Sequence, residues 1–227
     1  KIGQKYQDMD VAAAVFYQAA LNDPENRHFL DRVQRYAKKD WSSGKTKIRN
    51  ATLLMIPGMF YADNPEVGAD GQAVRKLAAD MGMDTELIPV GQTSPAVENG
   101  AFICKYLKET VRMDRNYYVA SASKGALDFR FAIHRCGQSP FFSRVRGWLN
   151  IGGLEDGSRI AELVSDDWYN ETRGRFYFFL NGYDWDGFLS MDVRDKMRID
   201  DIPSTLAVTS VVGVPLFRHV TQRARPF

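Results

Sequence analysis

The sequence predicts an α/β protein: a mainly parallel sheet with helices on both faces. Three observations predict it. The runs Ala51–Ile56 and Tyr117–Ala120 are continuously apolar, as strands buried on both faces must be. The run Ser204–Val212 is rich in β-branched residues, which suit a pleated strand. Between such runs lie segments with helical apolar spacing, and this alternation implies strands joined by helical crossovers.

The bulk properties agree. A chain of 227 residues, 44% hydrophobic and 26% charged, suits one globular α/β domain with an N-terminal addition. A net charge of +2 is too small to imply a nucleic-acid partner. No run approaches the roughly 18 apolar residues of a membrane span. Cys104 and Cys136 both fall in helix-like segments and are expected as buried free thiols rather than as a disulfide. Histidines are few and carboxylates scattered, so no metal site is predicted, and no motif points to a nucleotide or redox cofactor. The sequence begins at Lys1, which leaves a processed chain or a fragment open. The protein is expected to be soluble, either cytoplasmic or secreted after removal of a signal peptide. Oligomeric state is left open.

Residues 5–40 read as two helices, with Asp23-Pro24 ending the first. Residues 1–45 are therefore expected to form a helical extension packed on a domain spanning 46–227. Trp41-Ser-Ser-Gly-Lys-Thr lacks the upstream glycine of a phosphate-binding loop. After the strand 51–56 comes Pro57-Gly58-Met59-Phe60, at a strand's carboxyl end, where open parallel sheets bind ligands. Glu66–Met81 reads as a helix with Val67, Val74, Leu77 and Ala78 facing in and Gly82 closing it. Thr85–Val90 reads as a strand, followed by a helix with Ser94 as N-cap and Pro95 at its first position.

The segment Asn116–Ile133 organises the rest. A strand through Ala120 passes into a helix carrying Leu127, Phe131 and Ile133, and between them stand Ser121-Ala-Ser-Lys-Gly-Ala126. A strand that turns so abruptly into a helix leaves room only for small side chains. The pattern is that of a nucleophile elbow, G-x-S-x-G, with Ser121 in place of the first glycine and Ser123 at the tip. Beyond it, Arg144–Ile151 reads as a strand, and Ser158 caps a short helix ending near Val164. The aromatic-rich stretch 166–200 has two readings, a strand over Arg175–Asn181 or a helical lid. Ser190–Met197 looks helical.

Leu53–Phe60, Val119–Ala126 and Val145–Val164 together resemble the α/β-hydrolase superfamily, in its bacterial lipase and esterase branch, over roughly residues 50–215. The resemblance implies Ser123 as nucleophile, with the backbone N–H groups of Met59 and Lys124 as the oxyanion hole. Pro57 replaces a customary histidine in the oxyanion loop. The Lys124 side chain is expected to be solvated. The superfamily order Ser–acid–His makes His219 the base, since His134 follows Ser123 too closely and His28 precedes it. Asp184 is the expected acid, with Asp186 and Asp156 as alternatives. Phe60 and Trp185 are expected to line the substrate pocket. The implied activity is hydrolysis of a small-molecule or lipid ester. An alternative alignment places the acid and histidine beyond Phe227, which would make the chain an inactive or truncated relative with a binding role.

Overall fold

Strand β1, Ala51–Ile56, is buried along its whole length, and the sheet grows outward from it on both sides. The computed structural model describes residues 9–39, 47–192 and 202–213. The chain divides into two compact units. Residues 44–211 make one, and the helices α1 (Met9–Asn22) and α2 (Pro24–Ala37) belong to the other. Asp23 separates those helices and caps α2, its carboxylate accepting from the N–H groups of Glu25 and Asn26, with Pro24 at the first helical position. The Pro that ends one helix thus begins the next.

In the larger unit the order is β1, α3 (Gln72–Asp80), β2 (Asp84–Leu87), α4 (Ala96–Thr110), β3 (Asn116–Ala122), α5 (Lys124–Cys136) and β4 (Val145–Ile151). It continues with α6 (Arg159–Asp166), α7 (Trp168–Leu180), α8 (Trp185–Leu189) and β5 (Ala207–Val211). The described strands form one parallel sheet in the order β2-β1-β3-β4-β5. Period-two alternation along β1 supplies two cores. Leu54 and Ile56 pack with Ile103 and Leu107 of α4 and Phe129 and Ile133 of α5. Leu53 and Met55 pack with Ala78 of α3 and Ala120 of β3. The sheet therefore carries helices on both faces, as predicted. Among the described residues no helix is long and apolar enough to cross a membrane.

Four expectations change. The predicted helix 66–81 is a 3₁₀ turn at Pro65–Val67 followed by α3. Gly68 and Gly71 stand between them at φ 69° and 66°, a backbone that glycine adopts readily. Val67 and Leu77, expected to face in, are exposed. Helix α4 starts at Ala96, with Pro95 rather than Ser94 in the cap position. Of the two readings of 175–181, the strand does not occur. Asp167 caps α7 by accepting from Tyr169 and Asn170 N–H, and Glu171 and Arg175 pair one helical turn apart. These local devices override the strand preference of the aromatic residues. Residues 193–197 of the predicted helix 190–197 lie outside the described residues.

Cys104 and Cys136 are disulfide-bonded, not free. Periodicity placed each on a helix face but could not say that the helices adjoin. Gly100 of α4 makes that approach tight, because a Cβ there would lie 2.5 Å from Phe131 Cβ. The Cys104 and Cys136 Cα atoms then stand 6.1 Å apart, within bridging range. The bond closes a loop across a sequence separation of 32. Replacing both cysteines by alanine is expected to lower unfolding free energy by about 4 kcal/mol. Denaturant titration with and without reductant checks this; identical curves would contradict the bond.

Candidate active site

The site is built where β1 and β3 end. Ser123 follows β3 at φ 49°, ψ −122° and leads into α5. A non-glycine residue there is strained by about 1–3 kcal/mol. The neighbours make the turn possible. A Cβ on Gly125 would lie 2.5 Å from the Pro57 carbonyl oxygen and 2.7 Å from that of Ile56, so only glycine lets α5 start so close to β1. A Cβ on Gly58 would lie 3.2 Å from Ser123 Cβ, which sets the loop after β1 directly against the serine. Ser123 is tied on its other side to the β4 exit loop. Its N–H donates to the Ile151 carbonyl (3.2 Å), and its carbonyl accepts from Leu154 N–H (3.0 Å).

Ser121, where the motif ordinarily has glycine, is fully buried. Its hydroxyl accepts a hydrogen bond of 2.8 Å from the Trp148 indole N–H of β4. The departure from the motif thus provides a partner for a buried indole.

Met59 follows Gly58 in the loop after β1, and Lys124 opens α5 directly after Ser123. Among the described residues, neither backbone N–H has an acceptor. Phe60 follows at φ 61°, a second strained residue in this loop. Its ring lies 5.7 Å from Phe178 and 5.0 Å from Tyr183, so α7 and its exit segment touch the loop after β1. Asp63 strengthens that contact by accepting from Tyr183 (2.8 Å) and from the Gln92 amide (2.6 Å). The Asp63 carboxylate pushes the Tyr183 phenol up to about 12, because ionising it would break the hydrogen bond and place two negative charges together.

Lys124 is not solvated. Its side chain is buried and its ammonium lies 2.6 Å from Asp128 Oδ1, one turn along α5. Asp128 Oδ2 accepts from Asn99 Nδ2 at 2.9 Å. Burial holds the Asp128 carboxyl up at about 6, against the opposing pull of Lys124 and Asn99. The i,i+4 spacing of Lys124 and Asp128 was visible in the sequence. The inward face of that pair and its link to Asn99 on another helix were not.

His219 lies outside the described residues. His134 is exposed on α5. Asp184 is not at a strand end. It caps α8, its carboxylate accepting from Asp186 N–H at 2.9 Å. Asp156 lies in the loop that touches Ser123, largely exposed and 3.9 Å from Arg130. Trp185 is buried, stacked on Phe188 at 4.9 Å and edge-on to Phe178 at 5.1 Å. It packs within the α7–α8 segment, and Gly174 makes room for its ring. Phe176 and Phe179 of the same aromatic stretch are exposed.

A metagenomic carboxyl esterase superposes with TM-score 0.58 at 18% identity, over 74% of this chain and 51% of its own. The mature form of a Bacillus licheniformis lipase superposes with TM-score 0.55 at 17% identity, over 73% of this chain and 67% of its own. The fold is that of the α/β-hydrolases. The likeness is one of fold, and the match spans only about half of the esterase chain. No family model matches the sequence, and no curated protein does.

Two outcomes follow for the α/β-hydrolase core. Ser121→Ala leaves the buried Trp148 N–H unpaired and is expected to cost about 1–3 kcal/mol, read by urea unfolding. Asp128 has a folded pKa of about 6 against an ordinary 3.8. Its contribution to stability is therefore fully present below the lower value and lost as pH rises through the higher one. In Asp128→Asn, stability plotted against pH between those values should gain slope by up to about 1.4 kcal/mol per pH unit. Parallel profiles would contradict the burial of this carboxyl.

Proposed function

We propose that this chain is a serine hydrolase of esterase or lipase type, cleaving a carboxylic ester through an acyl-Ser123 intermediate. The observation that carries the reading is the strained backbone of Ser123, with Gly58 set against its Cβ. Strain of this kind concentrates where a side chain must be thrust out for chemistry. The shared fold with a carboxyl esterase and a lipase supports the ester as substrate.

In this reading His219, the histidine that follows α5 in the sequence, takes the proton from Ser123 Oγ as it attacks the ester carbonyl. The Met59 and Lys124 N–H groups receive the oxyanion. Collapse of the tetrahedral intermediate expels the alcohol, protonated by His219. Water, deprotonated by His219, then attacks the acyl-enzyme and releases the acid. A carboxylate orients His219. Asp184 is assigned to this role, with Asp186 and Asp156 as its competitors. Phe60 borders the acyl site, and Trp185 supports that wall from within the α7–α8 segment, which acts as a cap.

The test is hydrolysis of a short p-nitrophenyl ester together with labelling by a fluorophosphonate. Ser123→Ala is expected to abolish labelling. His219→Ala is expected to lower kcat by about 10⁴ or more. Asp184→Asn, Asp186→Asn and Asp156→Asn identify the carboxylate by which of them lowers kcat. Folded protein that neither labels nor hydrolyses would overturn the enzyme reading in favour of a binding role.

A further inference from the structure

A buried ion pair in the first turn of the elbow helix calls for an explanation. Replacing such a pair by apolar residues of similar volume is often neutral or stabilising. Stability alone is therefore a weak reason for Lys124 and Asp128, each with a side chain 2% exposed, to occupy this position.

Their connections suggest another reason. Asn99 of α4 bonds Asp128 and also clamps Gly91, accepting from its N–H (3.1 Å) and donating to its carbonyl (2.9 Å). Gly91 opens the loop Gly91–Pro95, and this loop meets both other walls of the site. The Gln92 amide oxygen accepts from Ala62 N–H and its nitrogen donates to Asp63, which holds the loop after β1. The Thr93 hydroxyl accepts from Asp184 N–H at 3.0 Å. The Thr93 carbonyl lies so close to Gly187 of α8 that no Cβ fits between them. Ser190 Oγ, just past α8, accepts from Ala96 N–H at 3.2 Å.

We infer that Lys124, Asp128 and Asn99 are positioning residues, a buried polar chain that registers the Gly91–Pro95 loop, and through it the oxyanion loop and the α7–α8 cap, against the nucleophile turn. The inference rests on Ser123 as nucleophile for its catalytic consequence, but the mechanical link stands on the contacts alone. Each member satisfies the next. Removing Asp128 takes away the acceptor that orients the Asn99 amide, and removing Asn99 leaves the Gly91 N–H without its acceptor. An apolar replacement restores packing volume without restoring direction, since only the hydrogen bonds specify where the loop lies.

The experiment uses the full chain with Lys124→Met/Asp128→Leu, and Asn99→Ala as an independent break that leaves the ion pair in place. Thermal midpoint, amide hydrogen exchange and the second-order rate of fluorophosphonate labelling are measured on each. The double variant is expected to keep or raise the midpoint. Exchange should quicken at Gly91–Ser94 and across residues 184–190, and labelling should slow by about 10–10²-fold, the cost of a misplaced reacting group. Asn99→Ala should produce the same exchange and labelling changes. A lower midpoint with exchange and labelling as in wild type would mark a merely structural pair and overturn the inference. If the double variant does not fold, Asn99→Ala decides it by the same two readouts. Wild-type protein inert to the probe would contradict the Ser123 reading, while the exchange data would still decide the coupling.

Discussion

The close approach of α5 to the end of β1 is the constraint on which the site depends. Gly125 sits where a Cβ would meet two backbone carbonyls of the β1 end. Because of that contact, the chain must leave β3 and enter the helix within one residue, and Ser123 takes up the conformational cost in an unfavourable region of backbone space. The loop after β1 then has no room to be elsewhere, so Gly58 lies against Ser123 and Met59 and Phe60 follow it. The five described strands of parallel sheet and the helices on both faces hold the two ends in place, so the strain cannot relax by moving either one.

Around this fixed point the polar groups are arranged unevenly. On the β4 side the contacts are backbone to backbone, from Ser123 to Ile151 and Leu154. On the α4 side they pass through buried side chains, Lys124, Asp128 and Asn99. The first arrangement is as rigid as the sheet. The second can be changed by single substitutions, and it leads to the segments that border the serine. A desolvated carboxyl at its centre, held neutral-prone by burial and charged by its lysine partner, makes that side of the site the one sensitive to solvent conditions.

The sequence made the sheet and the elbow legible because both are short-range patterns. Apolar runs such as Leu53–Ile56 admit few readings, and the run of small residues from Ser121 to Ala126 marks a crowded turn. What it left hidden depends on which helix faces which. The disulfide needed α4 and α5 to adjoin, and the burial of Lys124 needed Asn99 to arrive from another helix. The α7 segment was misleading for a different reason. Its aromatic residues favour strands in general, yet Asp167 at its start and the Glu171–Arg175 pair favour a helix locally, and in a segment with little burial the local terms prevail. Ser121 carried the opposite lesson, since a departure from the motif turned out to have a specific partner in Trp148.

The most direct test of the account is peptide-level mass spectrometry of the folded full chain after brief exposure to a fluorophosphonate. One phosphonyl adduct is expected, on Ser123, with Ser121 and the surface serines unmodified. An adduct confined to another residue, or none on protein whose thermal transition shows it to be folded, would contradict the claim that the strained turn presents an activated nucleophile.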